Sequence, residues 1–151
     1  TVFYKVTAAS QLLWKDPKMK WMIGLNAVFG FTSAFLNSYV NGQVVPVALN
    51  DPDSRYIGAL SSWVSAVAAG MSLVFGRIAA SSSLSSSSSS SSFGSKGSIL
   101  ILGAVCFLGV VFPFLIEPNA EKYGWSLLIM VYTLHGVGRA TFEGTLKATF
   151  A

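Results

Sequence analysis

The chain has 151 residues, 52% of them hydrophobic and 11% charged, with a net charge of +4 and a mean hydropathy of +0.59. A soluble domain carries about 25% charged residues, so this composition excludes an ordinary water-soluble globule and points to a membrane protein. With one cysteine there is no disulfide framework, and without a basic helix face or an aromatic-basic patch a nucleic-acid partner is excluded too.

Residues 1–20 read as a basic interfacial flank, with Lys5, Lys15, Lys18 and Lys20 near Trp14 and Pro17. A plain anchoring flank and a discrete amphipathic helix are equally good readings of it. A bilayer core needs about 20 mostly apolar residues per helix. Four stretches qualify: 21–45, 57–79, 98–116 and 125–150. The expected fold is an all-α integral membrane segment over 21–151 with four transmembrane helices.

The first span carries Asn26, Asn37, Asn41 and Gln43. Asn26, Gly30, Ser33, Asn37 and Asn41 recur at three-four spacing and share an α-helical face. Amides on such a face must meet other helices or water. Interhelical hydrogen bonding and a cavity lining are both open. The loop "NDPDSR" follows. The second span is rich in Gly, Ala and Ser, which permits close helix packing. Residues 81–92 are serine except for Leu84 and predict a disordered loop, with a phosphorylated regulatory loop as the functional alternative. The third span has no strongly polar side chain past Ser98 and is the natural lipid-facing helix. Pro113 kinks it or helps to end it, and "EPNAEKYG" leads on to the fourth.

The fourth span runs from "WSLLIMVYTL" into "HGVGRATFEGTLKATF". Residues four apart stack on one helix face. One row is His135, Arg139, Glu143 and Lys147. The next, about 100° around, is the small row Gly136, Ala140, Gly144 and Ala148, suited to helix packing. At 1.5 Å per residue His135 lies about 15 Å beyond Trp125, near mid-membrane, and Arg139 about 6 Å further. A charge at helix centre costs about 2.5–3.5 kcal/mol on the insertion scale, so Arg139 should not face lipid. Three readings stand: a structural ion pair with Glu143, a water-accessible substrate or ion pathway, and His135 as a metal or pigment ligand. The last has no second ligand motif behind it. The candidate pathway residues are His135, Arg139, Glu143, Asn26, Asn37 and Asn41.

Setting Arg139 aside, seven Lys and Arg residues flank the spans on the N-terminal side and two on the other (Arg55 and Lys122). The positive-inside rule therefore puts the N-terminus on the cytoplasmic-equivalent side of a multi-pass protein. No nucleophile-base pair, metal cluster or phosphate loop is present, so no enzyme activity, cofactor or bound metal is expected.

Two polar spans, first and fourth, around a small-rich second and an apolar third resemble four consecutive helices of a six-helix half of the major facilitator superfamily. The wording is similar to the Unc-ninety-three-like branch, the ion-channel regulatory protein family. "KDPKMKWMIGLNAVFGFTSAFLNSYV" resembles the start of its C-terminal half, and "YIGALSSWVSAVAAGMSLVFGRIA" its next helix. "YTLHGVGRATFEGTLKATF" resembles a later helix, whose glycines match Gly136 and Gly138. The resemblance runs from about Lys15 to the end, the serine tract excepted. The superfamily loop pattern GxxxDRxGR is reduced to Gly76-Arg77 and Gly94-Ser95-Lys96-Gly97, without the Asp. The resemblance implies that the first and fourth helices line a central cavity, the second lies between halves and the third packs outside. It implies alternating-access transport of a small solute by a longer chain, of which these are spans seven to ten, with helices one to four of the N-terminal half as the alternative placement. The alternatives are a non-transporting regulator or trafficking partner, and an accessory subunit of a large, energy-converting membrane complex. The partners implied are the lipid bilayer, the remaining helices of a longer chain and, on the alternative readings, a membrane protein complex.

Overall fold

The computed structural model describes residues 15, 17–84 and 92–150, and among these every regular element is helical. Helix α1 covers Pro17–Phe35 and continues without a break as a π-helical stretch, Leu36–Val44, and a last turn, α2, Val45–Ala48. Helix α3 is Arg55–Leu84, α4 is Ser92–Ile116 and α5 is Trp125–Phe150, with a 3₁₀ turn at Ala120–Lys122 before α5.

Two helices are long and apolar enough to cross a membrane: Arg55–Ile78 within α3 and Ile99–Ile116 within α4. The other two long helices are those in which amides (the first span) and the charged row (α5) interrupt the apolar sequence. Of the expected basic flank, 1–14 and 16 lie outside the described residues, while Pro17, Lys18, Met19 and Lys20 already belong to α1. Ser81, Ser82, Ser83 and Leu84, expected at the start of the serine loop, continue α3, and Ser92 begins α4. Once a helix is nucleated, each further residue adds a hydrogen bond, which carries the ladder into a stretch of middling propensity. Residues 85–91 lie outside the described residues.

Local chemistry sets the turns. The π stretch closes with Val45 N–H on the Val40 carbonyl, and Pro46 just beyond has no amide hydrogen with which to extend that ladder. Asn50 and Ser54 take left-handed backbone, with φ of 49° and 55°, a conformation that short polar side chains tolerate. Between them the buried Asp51 accepts from the Tyr56 amide at 2.9 Å, satisfying one of the orphan donors at the start of α3. After α4, the Tyr123 hydroxyl reaches the carbonyls of Glu117 and Pro113, which ties the connection to the end of the helix.

Helix α5 is the centre of the arrangement and packs against both α3 and α4. The main apolar core gathers Val40 and Val44 of the π stretch, Leu60 and Val64 of α3, Val110 and Phe114 of α4, and Leu128 and Val131 of α5.

Candidate functional site

The position of the charged row follows from how α5 is gripped. Gly136 and Gly138 are two residues apart, so they lie about 200° apart around the helix. A Cβ at Gly136 would come within 2.9 Å of the Val64 carbonyl oxygen and 3.0 Å of the Val67 Cβ, both on α3. A Cβ at Gly138 would come within 2.6 Å of the Phe107 ring on α4. On α4 itself, a Cβ at Gly103 would collide with the Thr141 hydroxyl, which donates to the Gly138 carbonyl of its own helix at 2.7 Å. The G-x-G pair is thus a notch on each side of α5, one for each neighbouring helix. Ala140 of the small row is buried. Gly144 is exposed, and a Cβ there would have nothing within 4 Å. The side chain of Ala148 lies outside the described residues.

The charged row divides in two. His135 is 5% exposed, its ring centroid 6.1 Å from that of Phe107, and its Nδ1 has no hydrogen-bond partner among the described residues. One turn on, Arg139 Nε donates to Glu143 Oε1 at 2.8 Å, and these side chains stay 42% and 44% exposed. Bonding through Nε occupies the side of the guanidinium and leaves its Nη groups without a partner among the described residues. The α3 and α4 notches therefore take two sides of α5, and the ion pair lies open beyond them. The side chain of Lys147, the last of the row, lies outside the described residues.

The amides of the first span differ in burial. Asn26 and Asn37 are exposed and Asn41 is buried. Asn41 Nδ2 donates to Asn37 Oδ1 at 3.2 Å, and the buried Tyr132 hydroxyl of α5 donates to Asn41 Oδ1. A π-helical turn closes at i→i+5 rather than i→i+4, so positions beyond Leu36 rotate away from the face that α-helical spacing assigns. Among the described residues, no hydrogen bond joins Asn37 or Asn41 to His135, Arg139 or Glu143.

Two polar contacts escape sequence reasoning, both inside the mostly apolar stretch "WSLLIMVYTL". Tyr132 is one. The other is Thr133, whose hydroxyl accepts from Trp63 Nε1 of α3 at 2.9 Å and donates to the Ile129 carbonyl at 2.7 Å. The signal that could have found them is that a Tyr or Trp inside an apolar helix carries a polar handle that needs a partner. Cys106 is buried and free. Among the described residues no three His, Cys, Asp or Glu side chains come together as a metal site. No protein-family model, curated protein or solved structure matches the chain.

Proposed function

We propose that the chain is a four-helix membrane-spanning part of a transporter of the major facilitator type, with α5 lining the path of a small solute. The observation that carries this reading is the Arg139–Glu143 pair. It is nearly half exposed on a helix whose other sides are packed against α3 and α4. Arg139 lies about 21 Å along α5 from Trp125 and Glu143 about 27 Å, toward the far boundary, and a charge near helix centre costs about 2.5–3.5 kcal/mol in hydrocarbon, which favours water or further protein beside Arg139. In this role Arg139 presents its Nη groups to an anionic part of the solute, Glu143 balances its charge and takes up a proton, and His135 packs behind them at mid-membrane. Asn26, Asn37 and Asn41 of the first span are the further candidates for reading the solute. Alternating access would expose that midplane site to each side in turn.

Water access tests the reading. Gly144 adjoins Glu143 and has open space around it, so Gly144→Cys introduces a reporter without breaking the ion pair. In a Cys106→Ala background of the full-length protein in vesicles, a membrane-impermeant maleimide labels Gly144→Cys and spares Leu108→Cys on the outer face of α4. Failure to label Gly144→Cys overturns the pathway. Coupled uptake by the full-length protein is abolished by Glu143→Gln, and unchanged uptake with unchanged pH dependence removes Glu143 from the mechanism.

A second reading is a non-transporting regulator or membrane-complex subunit in which the polar side chains hold an assembly together. The Asn37–Asn41–Tyr132 chain of bonds favours it, because those groups are satisfied inside the protein. Stable co-purification with a partner, and no solute flux in liposomes, decide for it.

A further inference from the structure

Three exposed aromatic side chains differ in how their polar handles are satisfied. Trp63 on α3 is half exposed, but its indole N–H is bonded to Thr133, whose hydroxyl proton goes in turn to the Ile129 carbonyl. That chain leaves no donor unspent, so the Trp63 ring presents only apolar surface. Tyr56 and Trp125 are exposed to a similar degree. They pack on each other edge to face, with centroids 4.9 Å apart, and neither the Tyr56 hydroxyl nor the Trp125 indole N–H has a protein partner among the described residues. Amphipathic rings of this kind settle where one end meets hydrocarbon and the other meets water or headgroups.

The two rings also mark one level. Tyr56 is the second residue of α3 and Trp125 the first of α5, and their contact brings the two helix starts together. Asp51, Asp53, Glu117 and Glu121 occupy the loops at that end. Trp63 is seven residues along α3 from Tyr56, about 10 Å deeper. Continuing to the exposed Arg77 gives about 31 Å from Tyr56, close to the roughly 30 Å of a bilayer's hydrocarbon core. On α4, the outward residues Ile101, Val105, Leu108, Phe112 and Leu115 are all exposed and all apolar. None is small, so the stripe lacks the close-packing surface by which membrane helices meet.

We propose that Tyr56 and Trp125 form a phospholipid headgroup anchor that sets the depth of α3 and α5. Trp63 and the outer stripe of α4 then face acyl chains. This rests on the membrane reading above and adds to it a specific level in the bilayer.

The test uses the full-length protein reconstituted in phosphatidylcholine vesicles whose chains carry bromine either near the headgroup or near the terminal methyl. Variants keep Trp63 or Trp125 as the only tryptophan, with the others changed to Phe. A third variant carries Leu108→Trp as its only tryptophan. Trp125 is quenched several-fold more by shallow than by deep bromine, and its emission is red-shifted. Trp63 and Leu108→Trp show the reverse preference. Trp125 quenched best by deep bromine, or Trp63 by shallow, overturns the anchor. Trp63 or Leu108→Trp quenched by neither lipid, while Trp125 responds to shallow bromine, overturns the lipid-facing assignment and shows that protein covers those faces, with the membrane reading intact. All three insensitive to both lipids but quenched by aqueous iodide removes the membrane reading itself.

Discussion

The same substitution at two glycines of α5 should act with opposite sign. In both Gly136→Ala and Gly144→Ala, alanine gains about 0.5–1 kcal/mol of helix propensity over glycine. At Gly144 nothing lies within 4 Å of the new methyl, so the gain stands and the full-length protein is stabilised by about that amount. At Gly136 the methyl arrives 2.9 Å from the Val64 carbonyl oxygen and 3.0 Å from the Val67 Cβ. These are backbone and root atoms of α3 that cannot rotate away, so α3 must move by a few tenths of an ångström. Overpacking of this kind costs about 1–3 kcal/mol. Net of the propensity gain, Gly136→Ala is destabilising by about 1–2 kcal/mol, and the two variants differ by about 2 kcal/mol. Gly138→Ala is destabilising too, since the new methyl would meet the side of the buried Phe107 ring at 2.6 Å, and that ring is packed against Phe29 and His135. The assay is reversible unfolding of the full-length protein in mild detergent, titrated with a denaturing one and followed by helical circular dichroism. Equal losses at Gly136 and Gly144 refute the reasoning: they would mean either that α3 does not fill the first notch or that another element covers the second.

Tyr132→Phe leaves Asn41 Oδ1 without its interhelical donor; a double-mutant cycle with Asn41→Leu returns a coupling of about 0.6 kcal/mol and no more than about 1.7, the range of hydrogen bonds between membrane helices, and a coupling of zero removes this link between the first span and α5. Arg139→Gln or Glu143→Gln breaks a pair whose side chains are nearly half exposed, so stability falls by no more than about 1 kcal/mol; the exchanged pair Arg139→Glu with Glu143→Arg restores it in the same unfolding assay, while solute flux stays lost if the residues act on solute. Burial first, then the neighbouring Tyr39 and Glu117, push the Tyr123 hydroxyl above its ordinary value near 10. A raised value in the folded state means that its contribution is fully present below about pH 10 and is lost as pH rises through the folded value. The unfolding midpoint therefore falls more steeply in the protein than in Tyr123→Phe above about pH 10, and parallel curves contradict the assignment.

The two helices long and apolar enough to cross a membrane were legible from composition, because each carries a long run dominated by Leu, Val, Ile, Gly and Ala. The helix read over 125–150 is α5, Trp125–Phe150, although among the described residues it is not one of the two apolar enough to cross a membrane. The i,i+4 spacing also put Arg139 and Glu143 within reach, where they form a 2.8 Å pair. What spacing could not show was any break from α-helical winding. The π winding at Leu36–Val44 carries no signal in the spacing of the amides, and Asn41 is buried while Asn37, to which it donates, stays exposed. Nor could a stepwise reading in fours see that Gly136 and Gly138 matter as a pair. They belong to different rows, and the significance of each lies in a separate helix, in Val64 and Val67 on one side and Phe107 on the other.

That pairing ties the fold to the proposed chemistry. A helix with one small row can approach one neighbour closely. A helix notched on two sides is clamped between two, and its rotation about its own axis is fixed by both. In α5 the clamp is closed at Gly136 and Gly138, and Arg139 is the next residue. Gly136→Ala should therefore disturb more than stability: by shifting α3 it displaces the face on which Arg139 and Glu143 lie, and maleimide labelling at Gly144→Cys changes with it. Gly144→Ala, which meets nothing, keeps the orientation of α5 while stabilising it. Gly136, Gly138 and the charged pair lie in separate rows of the sequence, but in the folded helix the two notches set the direction in which Arg139 and Glu143 lie.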